Sequence, residues 1–310
     1  MAEGTQRTRL VQWRFYEKFC ALYRFPCTPA TAHNICLYIA YMDSKGFEYS
    51  SVLNYVHSLA SLHNYHNLPS PPIKHFSVNQ ALTGLRKNRE DRPNKKLPIT
   101  VELLHKIHES LHCIPSRFRL AFWSACLVAF FTLLRRSNLF SCKAKNCNLK
   151  IKDIVIVEDQ LYVRAQQIKT NKFEPISVNL PLPLIQGSPL CPTSTIKKQL
   201  AAMPGRSNAS LFAYQSKSGK IKPLTASRFT KYLRLVLSES NCPSLQYSIH
   251  SFRRGGATLA SALHIPTSAL KAQGQWRSSC YQQYISRDAE HRLRFVQLMS
   301  SALQVRPDGC

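Results

Sequence analysis

His250 and Arg253, in His250-Ser-Phe-Arg253, stand three apart in a stretch with helical periodicity. At that spacing their β-carbons lie about 5–6 Å apart on one helix face. An imidazole and a guanidinium fork placed so can address a single anion, and the fork can do it bidentately. Such a pair is common by chance, so its weight depends on what accompanies it. Leu134-Arg135-Arg136-Ser-Asn-Leu139 follows directly on an apolar run, which puts one of the two arginines at the edge of a core. Lys169-Thr-Asn-Lys172 falls between two predicted strands, at the tip of a hairpin. Trp276 and Tyr284 follow His250 at a distance that suits a shared pocket.

The elements that must position these groups are read from periodicity. Residues 1–86 read mostly as helix, with apolar clusters at Phe15–Tyr23 and Ile35–Met42. Ser50-Ser51 is placed to cap a helix whose stripe is Leu53, Val56, Leu59 and Leu62, and another helix begins near Ser77 with Leu82 and Leu85. Residues 87–98 are charged, carry two prolines and have little to bury, the composition of a basic linker. Thr100 as cap and Glu102 in the first turn then restart the chain as helix. Leu120–Leu134, bounded by Arg119 and Arg135, is an apolar run shorter than the roughly 20 residues of a membrane span and reads as a core helix over 116–134. Residues 153–157, 160–164 and 175–180 are rich in β-branched types and read as a small antiparallel sheet of three strands. Helices are predicted again at 193–203, 225–239, 249–263 (Ser248 as cap), 267–272, 278–286 and 289–303. The fold class is mainly α with one small antiparallel sheet, in two lobes: 1–86 and 99–310.

Charge narrows the partner. Lys and Arg total 42 against 16 Asp and Glu, a formal net charge of +26 over 310 residues. An excess of that size points to a polyanion, nucleic acid before anionic membrane. Hydrophobic residues make up 44% of the chain, which excludes a disordered one. The first residues carry no apolar secretory core, and the 11 cysteines, an odd number, are read as reduced thiols of an intracellular protein. Cys142 and Cys147 lack the spacing of common zinc sites.

Taken in order, arginine in a Leu-Arg-x-Ser-x-Leu setting, lysine on a hairpin, His-x-x-Arg, tryptophan and tyrosine resemble the tyrosine recombinase family over about residues 96–300. Gly274-Gln-Trp-Arg-Ser-Ser-Cys-Tyr-Gln-Gln-Tyr-Ile285 looks most like recombinases of eukaryotic mobile elements, the Crypton and DIRS-type branches. The resemblance implies a two-lobed DNA clamp, with a helical core-binding domain, a linker and an α+β catalytic domain. It gives Arg135 and Arg253 the clamping of phosphate oxygens, where fixed positive charge meets charge developing in the transition state. It makes Lys169 the general acid for the leaving 5′ oxygen and Tyr284 the nucleophile that forms a 3′-phosphotyrosine. His250 positions phosphate or assists proton transfer, and Trp276 donates to a phosphate oxygen and packs the nucleophile's helix. It also implies double-stranded DNA as substrate, a homotetramer on two DNA sites docked through 289–303, a nuclear location, and no cofactor, metal, membrane or small-molecule substrate.

Alternatives stand beside several of these assignments. Arg136 and Lys172 compete with Arg135 and Lys169 and otherwise contact DNA backbone, as Arg254 does. Tyr281 precedes Tyr284 by three residues, and Asn138 stands where the family has an acidic side chain. His108-Glu-Ser-Leu-His112 fits a zinc-protease motif, with His105 near and Glu158 as a distant carboxylate. At the level of function, the alternatives are a domesticated DNA-binding protein that no longer cuts and a topoisomerase of the same chemistry.

Overall fold

The computed structural model describes residues 3–88, 96–140, 149–166 and 177–285. The chain divides into two compact units, Met1–Lys95 and Lys96–Cys310.

The first unit is four helices: α1 (Glu3–Tyr23), α2 (Ala32–Ser44), α3 (Tyr49–Tyr65) and α4 (Phe76–Asn88). Its core is aromatic at one end, where Tyr16, Phe19 and Tyr38 are fully buried with ring centroids 5.0–6.1 Å apart. Val52, Val56, Leu59, Val78, Leu82 and Leu85 fill the rest. Thr31 caps α2 by accepting from the Asn34 N–H. Ser50 and Ser51 do not cap α3. The helix starts a turn earlier, from Glu48, whose carbonyl accepts from the Ser51 and Val52 amides. Its buried face is accordingly Val52, Val56, Leu59 and His63. His63 is a structural histidine. Its Nε2 accepts from the Ala30 N–H, so the proton sits on Nδ1 and is donated to the Leu59 carbonyl, 2.9 Å away.

The second unit is built around α6 (Ser116–Thr132), which is buried on every side from Ala121 to Phe130, as a stretch apolar all round must be. Before it come α5 (Val101–Glu109), capped by Thr100 as its sequence predicts, and a short 3₁₀ turn. After it, Leu133 takes a left-handed conformation (φ 52°), and Arg135 becomes the N-cap of the short α7 (Arg136–Leu139) instead of the end of α6. Strands β1 (Ile154–Val157), β2 (Gln160–Gln166) and β3 (Ser177–Leu182) form the expected antiparallel sheet in the order β1-β2-β3. Glu158 and Asp159 both have positive φ, which closes the β1–β2 hairpin in the primed-turn geometry that matches strand twist.

A second hairpin, β4 (Ala213–Gln215) with β5 (Ile221–Pro223), follows α8 (Pro192–Ala201). The sequence reading of one sheet missed it. The unit then closes with α9 (Ala226–Glu239), α10 (Ile249–Ala262) and α11 (Thr267–Gly274). Residues 278–286, expected as a helix, instead contain one 3₁₀ turn, Ser279–Gln283. The 289–303 helix, Cys142, Cys147, Lys169 and Lys172 lie outside the described residues. At the ends of the predicted linker, α4 runs to Asn88, and Leu97 and Ile99 donate backbone bonds to Gln246 and Ser251. The eight cysteines among the described residues are free thiols. No described helix is long and apolar enough to cross a membrane.

Candidate active site

α10 packs closely on α6 and on the backbone just before α5. Gly255 and Gly256 face the Ile99 carbonyl and the Phe130 carbonyl so closely that a β-carbon on either would overlap backbone. This approach carries Arg253 into the interior, where it is 1% exposed. Ser248 starts the helix, its N–H donating to Ser251 Oγ at 2.9 Å.

Arg253 is held by backbone. Its Nη1 donates to the Leu133 carbonyl and its Nη2 to the Gly274 carbonyl at 2.8 Å. The left-handed turn at Leu133 and the end of α11 therefore supply its acceptors. Two rings cover it: the guanidinium carbon lies 4.1 Å from the Trp276 centroid and 4.9 Å from that of Tyr284. Burial pushes the Arg253 pKa down to about 10, with Arg135 adding to the fall and Tyr284 opposing it. The group stays cationic at neutral pH. Tyr284 lies against it, and Arg135 is near enough to act on it electrostatically.

Trp276 is buried, with its ring centroid 5.3 Å from Tyr284 and 6.3 Å from Tyr281. Gly274 makes room for it, since a β-carbon there would overlap the six-membered ring. Leu133, Ala257, Leu270 and Trp276 form a small core of their own, with Tyr281, Tyr284 and Ile285 packed on it. Around this core four buried N–H donors have no acceptor among the described residues: Arg253 Nε, Arg254 Nε, Gln275 Nε2 and Trp276 Nε1. Gln275 and Trp276 are consecutive, and Arg253 lies on the indole. Buried donors without acceptors are costly and call for a partner. An anion is the group that would satisfy them.

The structure thus gathers Arg135, Arg253, Trp276 and Tyr284 in one neighbourhood. His250 is on the first turn of α10 and exposed, while Arg253 points inward from the same helix. Arg136 is exposed on α7, and Arg254 is half-buried, its Nη1 donating to the Gln283 carbonyl at 2.9 Å. Asn138 is buried, and its carbonyl accepts from the Leu149 N–H. Sequence reasoning did not single out Leu133, Gly274 or Gln275. Only Gly274, beside a tryptophan, carried a signal.

The zinc-protease spacing does not form a metal-binding helix face. α5 ends at Glu109, His108 packs on Trp123 with centroids 5.2 Å apart, and burial lowers its pKa. His112 turns the other way, its Nδ1 on the Glu109 carbonyl and its Nε2 4.0 Å from Glu239. Donor atoms of His112, Cys113 and Glu239 do lie within 4.8 Å of one another. His112 and Glu239 are well exposed, and Arg119 donates to the His112 carbonyl beside them.

No family model matches the sequence, and no curated protein matches it. Solved structures match it over nearly its whole length. The Tn1549 transposon integrase in complex with circular intermediate DNA superposes with a TM-score of 0.66 at 14% identity, covering 96% of this chain and 94% of that one. The fold is that of the tyrosine recombinases. The XerH site-specific recombinase bound to palindromic difH substrate gives a TM-score of 0.63 at 16% identity, over 94% of this chain and 78% of that one. A lambda integrase dimer bound to a COC′ core site gives 0.58 at 18%, over 94% and 73%. At these identities the likeness to tyrosine recombinases is one of fold, and the chemistry rests on the residues of this chain.

Proposed function

We propose that this protein is a site-specific DNA recombinase of a mobile element, cutting and rejoining duplex DNA through a 3′-phosphotyrosine on Tyr284. The observation that carries this is the stack of Tyr284 and Trp276 on Arg253, with Arg135 alongside, on a recombinase fold. In the reaction the Tyr284 oxygen attacks phosphorus and the 5′ oxygen leaves. Arg135 and Arg253 hold the non-bridging oxygens, and the unmet Trp276 N–H is placed to donate to one of them. His250 orients phosphate or moves the nucleophile's proton, and Lys169 protonates the leaving oxygen. The phosphotyrosine keeps the energy of the broken bond, so rejoining needs no ATP. Residues 1–86 act as the core-binding domain and 99–310 as the catalytic domain, both on the same DNA. Arg136 and Lys172 contact its backbone. Four protomers on two sites, a Crypton- or DIRS-type element and a nuclear location complete the reading, which has double-stranded DNA as its partner and no cofactor.

One observation favours a second reading. Both Nη groups of Arg253 are engaged by backbone carbonyls, and two adjacent rings lie against its guanidinium. A domesticated protein that binds DNA without cutting it would tolerate that closed arrangement. Capture on nicked suicide duplexes carrying candidate element ends separates the two. A protein–DNA adduct stable to denaturant is expected; tight binding across the library with no adduct would favour the binder.

The net charge of +26 makes a further prediction. If about six phosphates are neutralised, affinity should fall on the order of 10³-fold between about 50 and 200 mM salt. A flat salt dependence in a fluorescence-anisotropy titration would contradict duplex binding through the phosphate backbone.

A further inference from the structure

We infer that Arg254 is a positioning residue: from α10 it holds the backbone of the segment that carries Tyr284 and so sets where that tyrosine stands over Arg253. The inference deepens the proposed function and rests on Tyr284 being the nucleophile.

Arg253 and Arg254 are neighbours on α10 that serve different parts of the site. Arg253 Nη2 reaches the Gly274 carbonyl, while Arg254 Nη1 reaches the Gln283 carbonyl at 2.9 Å. Four residues along the same helix face, Thr258 Oγ1 lies 3.4 Å from the Tyr284 carbonyl, a longer and weaker contact. Two consecutive carbonyls of the Tyr284 segment are therefore met from one helix. The segment depends on such help. It is a single 3₁₀ turn, Ser279–Gln283, a conformation with poor hydrogen-bond geometry. The Tyr284 amide is tied back to the Tyr281 carbonyl at 2.9 Å. A guanidinium-to-carbonyl bond is charge-assisted and stronger than a neutral one. Arg254 is half-buried, and its Nη1 is engaged by the Gln283 carbonyl at an exposed position.

Arg254→Gln and Arg254→Lys in the full chain test this with two readouts. Without DNA, amide hydrogen exchange in the peptide spanning 279–285 should accelerate about tenfold or more in Arg254→Gln, while exchange in α6 stays at the wild-type rate. Unchanged exchange in 279–285 would overturn the inference. On the suicide duplex at saturating DNA, adduct formation should slow by about 10- to 100-fold, the scale expected from misplacing a reacting group by about an ångström. Affinity and its salt slope should not move. A phosphate contact predicts the opposite: the salt slope falls by about one unit and the saturated rate is kept. Arg254→Lys keeps the charge and shortens the reach, so a wild-type rate in that variant would also overturn the inference. If wild-type protein forms no adduct, the proposed reaction fails, and the exchange measurement still decides whether Arg254 holds the segment.

Discussion

Arg253→Ala should destabilise the protein by on the order of 3–5 kcal/mol and abolish DNA cleavage. The stability part follows from position. Arg253 is among the largest fully buried side chains, so truncation leaves a cavity in the α10–α11 region. It also leaves the Leu133 and Gly274 carbonyls without their donor, at about 1–3 kcal/mol for each unmet group. The contacts with Trp276 and Tyr284 add about 0.5–2 kcal/mol of cation–π attraction. Arg253→Lys separates fold from chemistry. It keeps a cation under Trp276 and loses the fork, so it should melt closer to wild type yet cleave on the order of 10²–10³-fold more slowly. Urea unfolding and suicide-substrate rates check the two parts. An Arg253→Ala protein that unfolds at the wild-type midpoint would contradict the interior placement.

The second large effect is expected at Gly255. On an exposed helix, Gly→Ala stabilises by about 1 kcal/mol through helix propensity. At Gly255 the sign should reverse. The new β-carbon would overlap the Ile99 carbonyl oxygen and crowd the Phe130 ring, and backbone cannot step aside as a flexible side chain can. α10 would have to move away from the Ile99 backbone, at about 1–3 kcal/mol or more. Gly84 in α4 is the internal control, because nothing stands within 4 Å of its would-be β-carbon. Gly84→Ala should stabilise by about 0.5–1 kcal/mol. Chemical denaturation of both variants gives the comparison, and a stable Gly255→Ala would mean that α10 and the Ile99 backbone do not approach as closely as described.

These two positions also show what can be read without coordinates. α6 was legible because fifteen residues without charge, Leu120–Leu134, sit between Arg119 and Arg135. Thr100 and Ser248 were legible as helix starts because their side chains or amides close local hydrogen bonds. The β4–β5 hairpin was not, since strands of three residues are too short to show alternation. Ser50 and Ser51 gave a cap signal that the chain does not use, because extended backbone at Glu48 already starts α3. The 278–286 stretch has helical composition, yet Ser278 Oγ takes the Cys280 N–H and turns the chain into 3₁₀ geometry.

Arg253, Trp276 and Tyr284, which the structure brings together, were named from their types and order, while His250 stands exposed on the first turn of α10. The environment of the site was not legible. Arg253 is fixed by two backbone carbonyls, which have no signature in the sequence, and Arg254 Nη1 reaches a third, at Gln283.

In the proposed reaction the Tyr284 oxygen becomes bonded to DNA. Wild-type protein and Tyr284→Phe, presented with the same nicked suicide duplex, test it directly on a denaturing gel with peptide mapping of any adduct. The expected result is a wild-type adduct on the peptide carrying Tyr284, joined to a 3′ phosphate, and none in Tyr284→Phe at unchanged DNA affinity. An adduct that survives Tyr284→Phe, or maps to Tyr281, would contradict the assignment.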